Sequence, residues 1–440
     1  MIELNDWLSI DKVSGEGNDI ITLTALPCGV TEEKNSSLKI KTSTKEVILN
    51  LYQRYYEKVE RFLGKQKELI SSEWQGCTKT VVVYTNEEDL YYEAPSWVDV
   101  TVNKEGFIHT YTITFKPNTS NTKRFGELVL RTFSIIYAPI KLVQGIEAEE
   151  NKVIYYMSAG KSSSVPVIPP YNTSGMVANT SERISGAINS YEIGFVYYDS
   201  PVVNVVDNFF DKQSIYAISF PPSVETIGKR SFNESTIYSV DFSDNITSIG
   251  EYAFYNCNRI VGVDSIDLLF GKLELPSKLE TIGNYAFYNC YGVTEVNLPS
   301  TLQTIGDYAF TRCTRITNIE FNNGLNTIGK HAFNSLALTE IIIPNTLTSI
   351  GDYAFAWNKT EYVELPANGI TLGSDILYGC DVSKIKILPS TGLKPTIKNS
   401  TFQEIASNGI LEYPSGSDYS DWLSTDEYYL GYYGWTGVPY

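Results

Sequence analysis

The chain has 440 residues, a formal net charge of −17 and only two histidines. This acidic balance argues against nucleic acid or an anionic membrane as the partner, because both are negatively charged themselves. Six cysteines in this length predict no disulfide framework, and no apolar run reaches the roughly 18 residues of a membrane-spanning helix.

The N-terminal third predicts two small β modules. In residues 78–145, short alternating stretches such as "TKTVVVYTN" and "IHTYTITFKPNTS" are separated by polar turns, which is the pattern of a small all-β sandwich. Residues 54–77 are interpreted as its connection and first strand. Residues 1–53 repeat the second half of the pattern, from Trp7 to "VILNLYQ", but lack its leading strands.

Four short motifs in the second module carry a family resemblance: "PSW" at 95–97, "PN" at 117–118, "RFG" at 124–126 and "VQG" at 143–145. Together they resemble the BACON domain, an immunoglobulin-like module of carbohydrate-active and surface proteins. The resemblance implies a sandwich that binds glycan or mucin at 54–145 and a partial copy at 1–53. Residues 146–194 are interpreted as a linker and N-terminal cap, because the predicted strand "KVIYYM" precedes a loop rich in Ser, Pro and Asn.

A unit of about 22 residues recurs between positions 195 and 412. Each copy of the unit is marked by an Ile-Gly step or a close variant of it. The first residues of these steps are Val205, Ile227, Ile249, Ile282, Ile305, Ile328, Ile350, Leu372 and Ile397. The intervals between successive steps are nearly equal, except for the longer one from Ile249 to Ile282, which predicts an insertion around 261–271. Positions are numbered from the first residue of each step, so that the aromatic Phe310, five residues after Ile305, is at +5. A repeat of this period predicts a solenoid.

Each repeat also predicts one strand before the step. The stretch "VTEVNLPSTL" (293–302) alternates apolar and polar residues and contains a proline turn. The residues expected to point inward in this repeat are Val296, Leu298, Leu302, Ile305, Ala309 and Phe310. One repeat cannot bury such a set alone, so neighbouring repeats stack and share one core. The glycine of the step allows a tight corner that a Cβ would obstruct.

Position +8 is cysteine in four repeats: Cys257, Cys290, Cys313 and Cys380. Ser235, Leu336 or Asn358 takes the same position elsewhere, so it is interpreted as a small slot in the core. The alternatives are a disulfide between adjacent repeats or a thiolate metal site. Metal sites bring CxxC spacing or clustered histidines, which this sequence lacks, so neither a metal nor another cofactor is expected.

The strand, the proline turn and the sequence "IGxYAFxxC" together resemble the BspA-type leucine-rich repeat of bacterial surface proteins. The fold class is then mainly β, with immunoglobulin-like sandwich modules followed by a leucine-rich-repeat solenoid of about nine repeats at 195–412. The aromatic-rich end "YLGYYGWTGVPY" makes 413–440 the predicted C-terminal cap. The resemblance is specific for the fold and uninformative about the ligand, because the defining positions are core positions.

Two surface sets are candidate binding sites. The acidic columns lie outward on the strands: Asp241, Glu274, Glu320 and Glu364 at −8, with Glu295 and Glu340 at −10. The tyrosine column consists of Tyr252, Tyr285, Tyr308 and Tyr353 at +3, joined by Tyr255 and Tyr288 at +6. The acidic columns suit a basic protein, a cation or sugar hydroxyls, and tyrosine suits sugars and proteins alike. The alternatives are a solvated sheet face and a half-buried ladder that belongs to the repeat.

The sequence contains no GxSxG, HExxH, P-loop, GxGxxG or EF-hand motif, so no catalytic activity is expected. The favoured function is non-catalytic adhesion, in which the array recognises a glycan or a protein at a cell surface. The alternative is a structural or fibre component of a phage virion, anchored by the N-terminal modules, and a glycan-processing enzyme ranks third. Assembly into a homo-oligomer or a particle stays open.

The N-terminal sequence bears on localisation. The start "MIELNDWLSID" has neither the basic residues nor the apolar run of a signal peptide. If Met1 is the natural start, a virion-associated protein is favoured. If a leader was removed, an extracellular or cell-surface protein is favoured.

Overall fold

The computed structural model describes most of the chain from residue 69 onward. The described residues are 8–10, 23–25, 34–41, 46–53, 69–84, 90–105, 108–131, 140–158, 176–185, 190–258, 260 and 272–440. The predicted insertion around 261–271 lies outside them. Their regular structure is almost entirely β, as predicted, with two described 3₁₀ turns at Glu147–Glu149 and Leu430–Tyr433.

The N-terminal region up to Gln53 contributes four strands: β1 (Leu8–Ile10), β2 (Leu23–Ala25), β3 (Lys34–Lys41) and β4 (Glu46–Gln53). Strand β1 pairs with β2, and β3 pairs with β4, both in the antiparallel sense. In this region, the described residues define these two strand pairings. A partial BACON-like module at 1–53 therefore stays a prediction.

Residues 69–145 form two sheets around a shared apolar core. Their strands are β5 (Leu69–Ser72), β6 (Thr78–Tyr84), β7 (Tyr91–Glu93), β8 (Val98–Glu105), β9 (Ile108–Phe115), β10 (Arg124–Arg131) and β11 (Ile140–Gln144). One sheet has the order β5-β11-β10-β7, with β5 and β11 parallel, and the other has the antiparallel order β6-β9-β8. Leu128 and Leu142 of the first sheet share this core with Val83, Tyr111 and Ile113 of the second. The alternating pattern thus produces a sandwich, whose kinship with the BACON domain stays a prediction.

The remaining strands build the array and its two ends. In chain order they are β12 (Val153–Ser158), β13 (Met176–Ser185), β14 (Ser190–Tyr198), β15 (Asn204–Val205), β16 (Ile215–Ser219), β17 (Thr226–Ile227), β18 (Ser239–Asp241), β19 (Ser248–Ile249), β20 (Lys272–Glu274), β21 (Thr281–Ile282), β22 (Glu295–Asn297), β23 (Thr304–Ile305), β24 (Thr327–Ile328), β25 (Glu340–Ile342), β26 (Ser349–Ile350), β27 (Tyr362–Asn368), β28 (Thr371–Leu372), β29 (Lys384–Leu393), β30 (Ile410–Tyr413) and β31 (Thr436–Pro439). One stacked repeat is called a rung below.

Two sets of parallel strands run along the array. The step strands contain the first residue of eight of the nine steps, from Val205 to Leu372, and form one sheet, β15-β17-β19-β21-β23-β24-β26-β28. Ile282 pairs with Ile305, and Ile305 with Ile328, so the predicted register is confirmed. The outer strands form the sheets β20-β22 and β25-β27-β29-β30-β31. Each precedes a step, except β30 and β31, which follow the last step at Ile397. The first two outer strands, β16 and β18, continue the cap sheet β13-β14-β12.

A stack of phenylalanines at +5 forms the centre of the array. The ring of Phe310 lies 5.3 Å from that of Phe287 and 5.6 Å from that of Phe333, nearly parallel to both. Every inward residue predicted for this repeat is buried: Val296, Leu298, Leu302, Ile305, Ala309 and Phe310. At the C-terminal end, Trp422 and Trp435 join the same core, where they cover the last rung.

Two positions in successive rungs adopt a left-handed backbone without glycine, which the sequence did not predict. At +3 the φ of Tyr285 is +57°, and at +7 the φ of Asn289 is +58°. This conformation costs a non-glycine residue about 1–2 kcal/mol. Hydrogen bonds to the next rung offset the cost: the N–H of Tyr285 donates to the carbonyl of Asp307, and that of Asn289 to the carbonyl of Thr311, both at 2.8 Å.

The sandwich packs against the start of the array through a second apolar core. Leu69 and Val143 of the sandwich share it with Tyr155, Phe195 and Ala217 of the cap sheet. The cap sheet is therefore buried on both faces, because its other face contributes to the core of the array. This arrangement joins the sandwich to the array over an extended apolar contact.

Polar contacts between the sandwich and the first outer strands accompany this core. The hydroxyls of Ser71 and Ser219 lie 2.7 Å apart, and the Lys79 Nζ lies 2.8 Å from the Asp241 carboxylate. Strand β5 of the sandwich thus lies over β16 and β18. The outer face of the array is covered by the sandwich at these two strands.

We expect the stability of this junction to fall as the pH rises from about 5 to about 8. Burial raises the pKa of Glu73 to about 7, the Asn151 N–H (3.2 Å) opposes the shift, and Glu150 and Glu149 add to it. Since the folded pKa lies above the unfolded value of about 4.3, the stabilisation is present below that value and is lost as the pH passes 7. The loss is on the order of 2 kcal/mol.

Urea unfolding of the wild type and of Glu73→Gln at pH 5 and pH 8 measures this effect. The substitution keeps the shape of the side chain and removes its titration. We expect the free energy of unfolding to drop between the two pH values by more in the wild type than in the variant. Equal drops in the two proteins would show that Glu73 does not titrate in this range.

Candidate functional site

The acidic columns occupy outward positions on the array. Glu295 of β22 is exposed beside the buried Val296, and Glu340 of β25 repeats this arrangement. Glu320 is exposed in an irregular segment between these two strands. The alternation of burial therefore places these carboxylates as the sequence suggested.

Asp241 has a different environment from the other acidic residues. Its carboxylate contacts Lys79 of the sandwich and accepts a hydrogen bond from the Ser219 hydroxyl at 2.6 Å. It therefore belongs to the junction with the sandwich. A partner that approached the outer face would meet the sandwich at this position and not Asp241.

Lysines interrupt the acidic columns further along. Lys272 of β20 lies 3.0 Å from Glu274 and 3.7 Å from Glu295. Strand β29 places Lys386 in register beside Glu364. The outer face is therefore a mixture of both signs, which favours a partner that carries both charges over a simple basic partner.

The tyrosine column is a continuous stack of rings. Tyr252, Tyr285 and Tyr308 lie parallel, with centroids 4.7 and 4.6 Å apart. His331 at +3 of the next rung continues the stack, 4.5 Å from Tyr308 and 4.9 Å from Tyr353. We call these five rings the aromatic ladder. Tyr255 and Tyr288 at +6 stack beside it, 4.9 Å apart.

This stacking limits what the aromatic ladder can bind. A sugar packs on the face of an aromatic ring. Both faces of Tyr285 and of Tyr308 are covered by their neighbours in the ladder, so the inner rings present only their edges. The ladder suits hydrogen bonding along its edge, and its role in binding stays a prediction.

The slot at +8 holds a hydrogen-bond donor in most rungs. The Cys290 thiol donates to the carbonyl of Phe254 at 3.2 Å, and the Asn358 amide donates to that of Phe333 at 2.8 Å. The same contact with the preceding rung is made by Cys257, Cys313 and Cys380. Leu336 fills the slot without donating. The four slot cysteines are free thiols in the structure and not disulfides.

We expect these four thiols to resist alkylation in the folded protein. Burial raises the pKa of Cys257 and of Cys313 to about 12, and only the thiolate reacts. In a Cys28→Ser/Cys77→Ser variant, iodoacetamide at pH 8 should add nothing to the native chain and should label all four slot cysteines after denaturation. Rapid native labelling of all four, or a mass that shows disulfides, would contradict their place in the core.

Within the described residues, no three His, Cys, Asp or Glu side chains gather in a way that could hold a metal ion. The same part of the chain contains no helix long and apolar enough to cross a membrane. The surfaces described above carry ion pairs and aliphatic side chains on the outer strands, and aromatic rings along the turns.

Sequence reasoning missed several residues of these surfaces. His331 stands at +3 like the tyrosines, and its flat ring could have been recognised from that position alone. Trp357 is the most exposed aromatic side chain described, at 57%, and lies at +7 from the step at Ile350. No sequence pattern pointed to Lys384 and Lys386 of β29, because the repeat that contains them departs from the spacing of the others.

In-register parallel strands around a stacked apolar core, repeated at a period of about 22 residues, define a leucine-rich-repeat solenoid. Residues 194–267 and 280–408 match the family model of the BspA type leucine rich repeat region in six copies. The repeats of this array are therefore similar to the BspA-type leucine-rich repeat, which confirms the resemblance predicted from "IGxYAFxxC". The family is not an enzymatic one.

Solved structures similar to the chain include bacterial leucine-rich repeat proteins. A protein from Bacteroides ovatus is 20% identical over 52% of this chain and 75% of its own, with a TM-score of 0.30. The T. pallidum leucine rich repeat protein is 23% identical over 44% and 77% (TM-score 0.32), and the pneumococcal vaccine antigen PcpA 21% over 49% and 67% (TM-score 0.32). No curated protein sequence matches the chain.

Proposed function

We propose that the protein is a non-catalytic adhesion protein that binds a partner protein at a cell surface through the outer strands of its array. BspA-type repeats are typical of bacterial surface proteins, and the array is of this type. A stacked solenoid presents a long, fixed face without any rearrangement on binding, which lowers the entropic cost of association. The position of the partner follows from what that face exposes.

The C-terminal sheet of outer strands is the part of this face that favours a partner. Strands β25, β27, β29, β30 and β31 are parallel and in register, so their outward residues form two rows. The rows are Glu340, Tyr362, Lys384, Ile410 and Thr436, followed by Ile342, Glu364, Lys386, Glu412 and Val438. The sandwich contacts the opposite end of the array, so it does not cover these rows.

Exposed apolar side chains on this sheet are the observation that carries the proposal. Ile342, Ile410, Val438 and Tyr440 are each between 41% and 49% exposed. The earlier outer strands β20 and β22 expose polar residues instead: Lys272, Glu274, Glu295 and Asn297. Lys384 and Glu412, 2.9 Å apart, add a charged pair within the apolar set. Apolar residues within a charged rim are typical of protein interfaces. Three of the four apolar residues, Ile342, Ile410 and Val438, are aliphatic and lack the ring face on which a sugar stacks.

Binding of the fluorescently labelled protein to a panel of cells tests this function. A variant with Ile342→Asp and Ile410→Asp puts charge into the apolar set, and because both side chains point outward the fold should persist. The matched control is Tyr285→Phe with Tyr308→Phe, which removes hydroxyls from the aromatic ladder but keeps the stacked rings. We expect the first variant to bind about tenfold more weakly or worse, and the control to bind like the wild type.

Treatment of the cells identifies the class of partner. Protease treatment should abolish binding of the wild type, and glycosidase treatment should leave it intact. The opposite result would assign the partner to glycans, and weaker binding by the control would place the site on the aromatic ladder. A wild type that binds no cell and is found inside a virus particle would support the structural alternative instead.

A further inference from the structure

The aromatic ladder ends in an exposed tryptophan. Beyond Tyr353, position +3 is no longer aromatic, and the ring of Tyr378 approaches at a tilt of 55° with a centroid distance of 5.9 Å. Trp357 meets Tyr378 edge to face at 5.2 Å. The Trp357 side chain is 57% exposed, so a contiguous aromatic surface opens to solvent at this end of the ladder.

The neighbouring rung is shaped to hold this indole ring. A Cβ added to Gly379 would lie 2.6 to 3.0 Å from Cε3, Cζ3 and Cδ2 of Trp357, three atoms of its six-membered ring. Because these distances are similar, the ring lies with its face on the backbone of Gly379. Both residues are at +7, where other rungs carry a side chain, as at Asn256, Asn289, Arg312, Ser335 and Glu404.

One face of the indole lies on Gly379, so the 57% exposure of Trp357 is assigned to its second face and to the ring edges. Since Gly379 belongs to the following rung, the free face points back along the array towards Ser335 of the preceding rung. The N–H of Ser335 donates to the carbonyl of Ala356, the residue before Trp357, which fixes the two +7 positions as neighbours. A serine side chain is too small to cover an indole, which agrees with the high exposure of Trp357.

We propose that Trp357, supported by Tyr378 and Gly379, is a stacking platform for the pyranose ring of a glycan. The C–H groups on one side of a pyranose form an apolar face that packs on an aromatic ring. A quaternary ammonium ion, the other ligand that tryptophan favours, is held by several rings arranged as a cage. The single open indole face with one supporting ring therefore suits a sugar. This site lies in the turn segment of the rung, apart from the outer strands that bind the partner protein.

A glycan array of immobilised neutral and acidic oligosaccharides tests the platform, followed by titration of the oligosaccharide that binds best. We expect Trp357→Ala to raise the Kd about tenfold or more, the range of one aromatic contact, and Trp357→Phe to raise it less. Ser335→Arg should weaken binding too, because it covers the open face and keeps the indole. Tyr291→Ala, which truncates another exposed aromatic of the array, is the matched control and should bind like the wild type.

Thermal unfolding of each variant separates loss of the site from loss of the fold. The proposal is overturned if the wild type binds no oligosaccharide, or if Trp357→Ala binds as tightly as the wild type while both are folded. Displacement of the oligosaccharide by choline chloride would assign the indole face to a cation and also overturn it. Loss of glycan binding in the Ile342→Asp/Ile410→Asp variant alone would place the sugar on the outer strands.

Discussion

Phe310→Ala should lower the free energy of unfolding of the array by about 3–5 kcal/mol. The ring is fully buried between the parallel rings of Phe287 and Phe333. Hydrogen bonds between rungs fix this spacing, since the Phe310 N–H donates to the carbonyl of Ala332 at 2.8 Å. The surrounding rungs therefore cannot close on the cavity, which puts the cost in the upper part of the range for aromatic truncations.

Urea unfolding followed by circular dichroism measures this loss, and Phe310→Leu is the matched control. Leu377 takes the +5 position naturally in a later rung and is buried there, so leucine fits the stack and should cost much less than alanine. Rungs are coupled mainly to their neighbours, so the array should lose structure first while the separate core of the sandwich persists. A Phe310→Ala variant that unfolds in one transition identical to that of the wild type would contradict the register of the repeats.

The cross-section of the array could be predicted because the same position recurs many times in the sequence. The burial of Phe310 and of the thiol at +8 both followed from the spacing alone. The reason for the slot did not follow, since the carbonyl that Cys290 satisfies belongs to Phe254 of the preceding rung. A sequence pattern shows which side chains fit a position. It says less about which distant backbone group those side chains form a hydrogen bond with.

Contacts between distant segments escaped prediction for a physical reason. Lys79 and Asp241, far apart in the sequence, meet because two separately folded units pack together, and neither stretch carries a local sign of it. The left-handed backbone of Tyr285 also opposes local preference and persists because the next rung supplies a hydrogen-bond partner. The aromatic ladder was predicted as a column of tyrosines, but the covering of its ring faces depends on the distance between rungs.

Gly329→Ala should destabilise the array by about 3 kcal/mol or more. A Cβ at this corner would lie 2.6 Å from the N and Oδ1 of Asp307 and from the carbonyl carbon of Gly306, all in the preceding rung. Two of these atoms are backbone, and the Asp307 Oδ1 is held by the N–H of Lys330 at 2.7 Å. None of them can yield unless the rungs separate. Such a movement would also break the pairing of Ile305 with Ile328 in the step sheet.

Gly392→Ala separates this steric cost from the cost of an unfavourable backbone conformation. Gly392 has a φ of +78° and would place its Cβ within 4 Å of nothing, so alanine there meets strain without collision and should cost about 1–2 kcal/mol. Gly329 has no positive φ, so its cost arises from the collision alone. Urea unfolding of the two variants beside the wild type should rank Gly329→Ala as the less stable. If both lose the same free energy, the rungs can move apart at little cost, and the close stacking of corner glycines does not hold the array together.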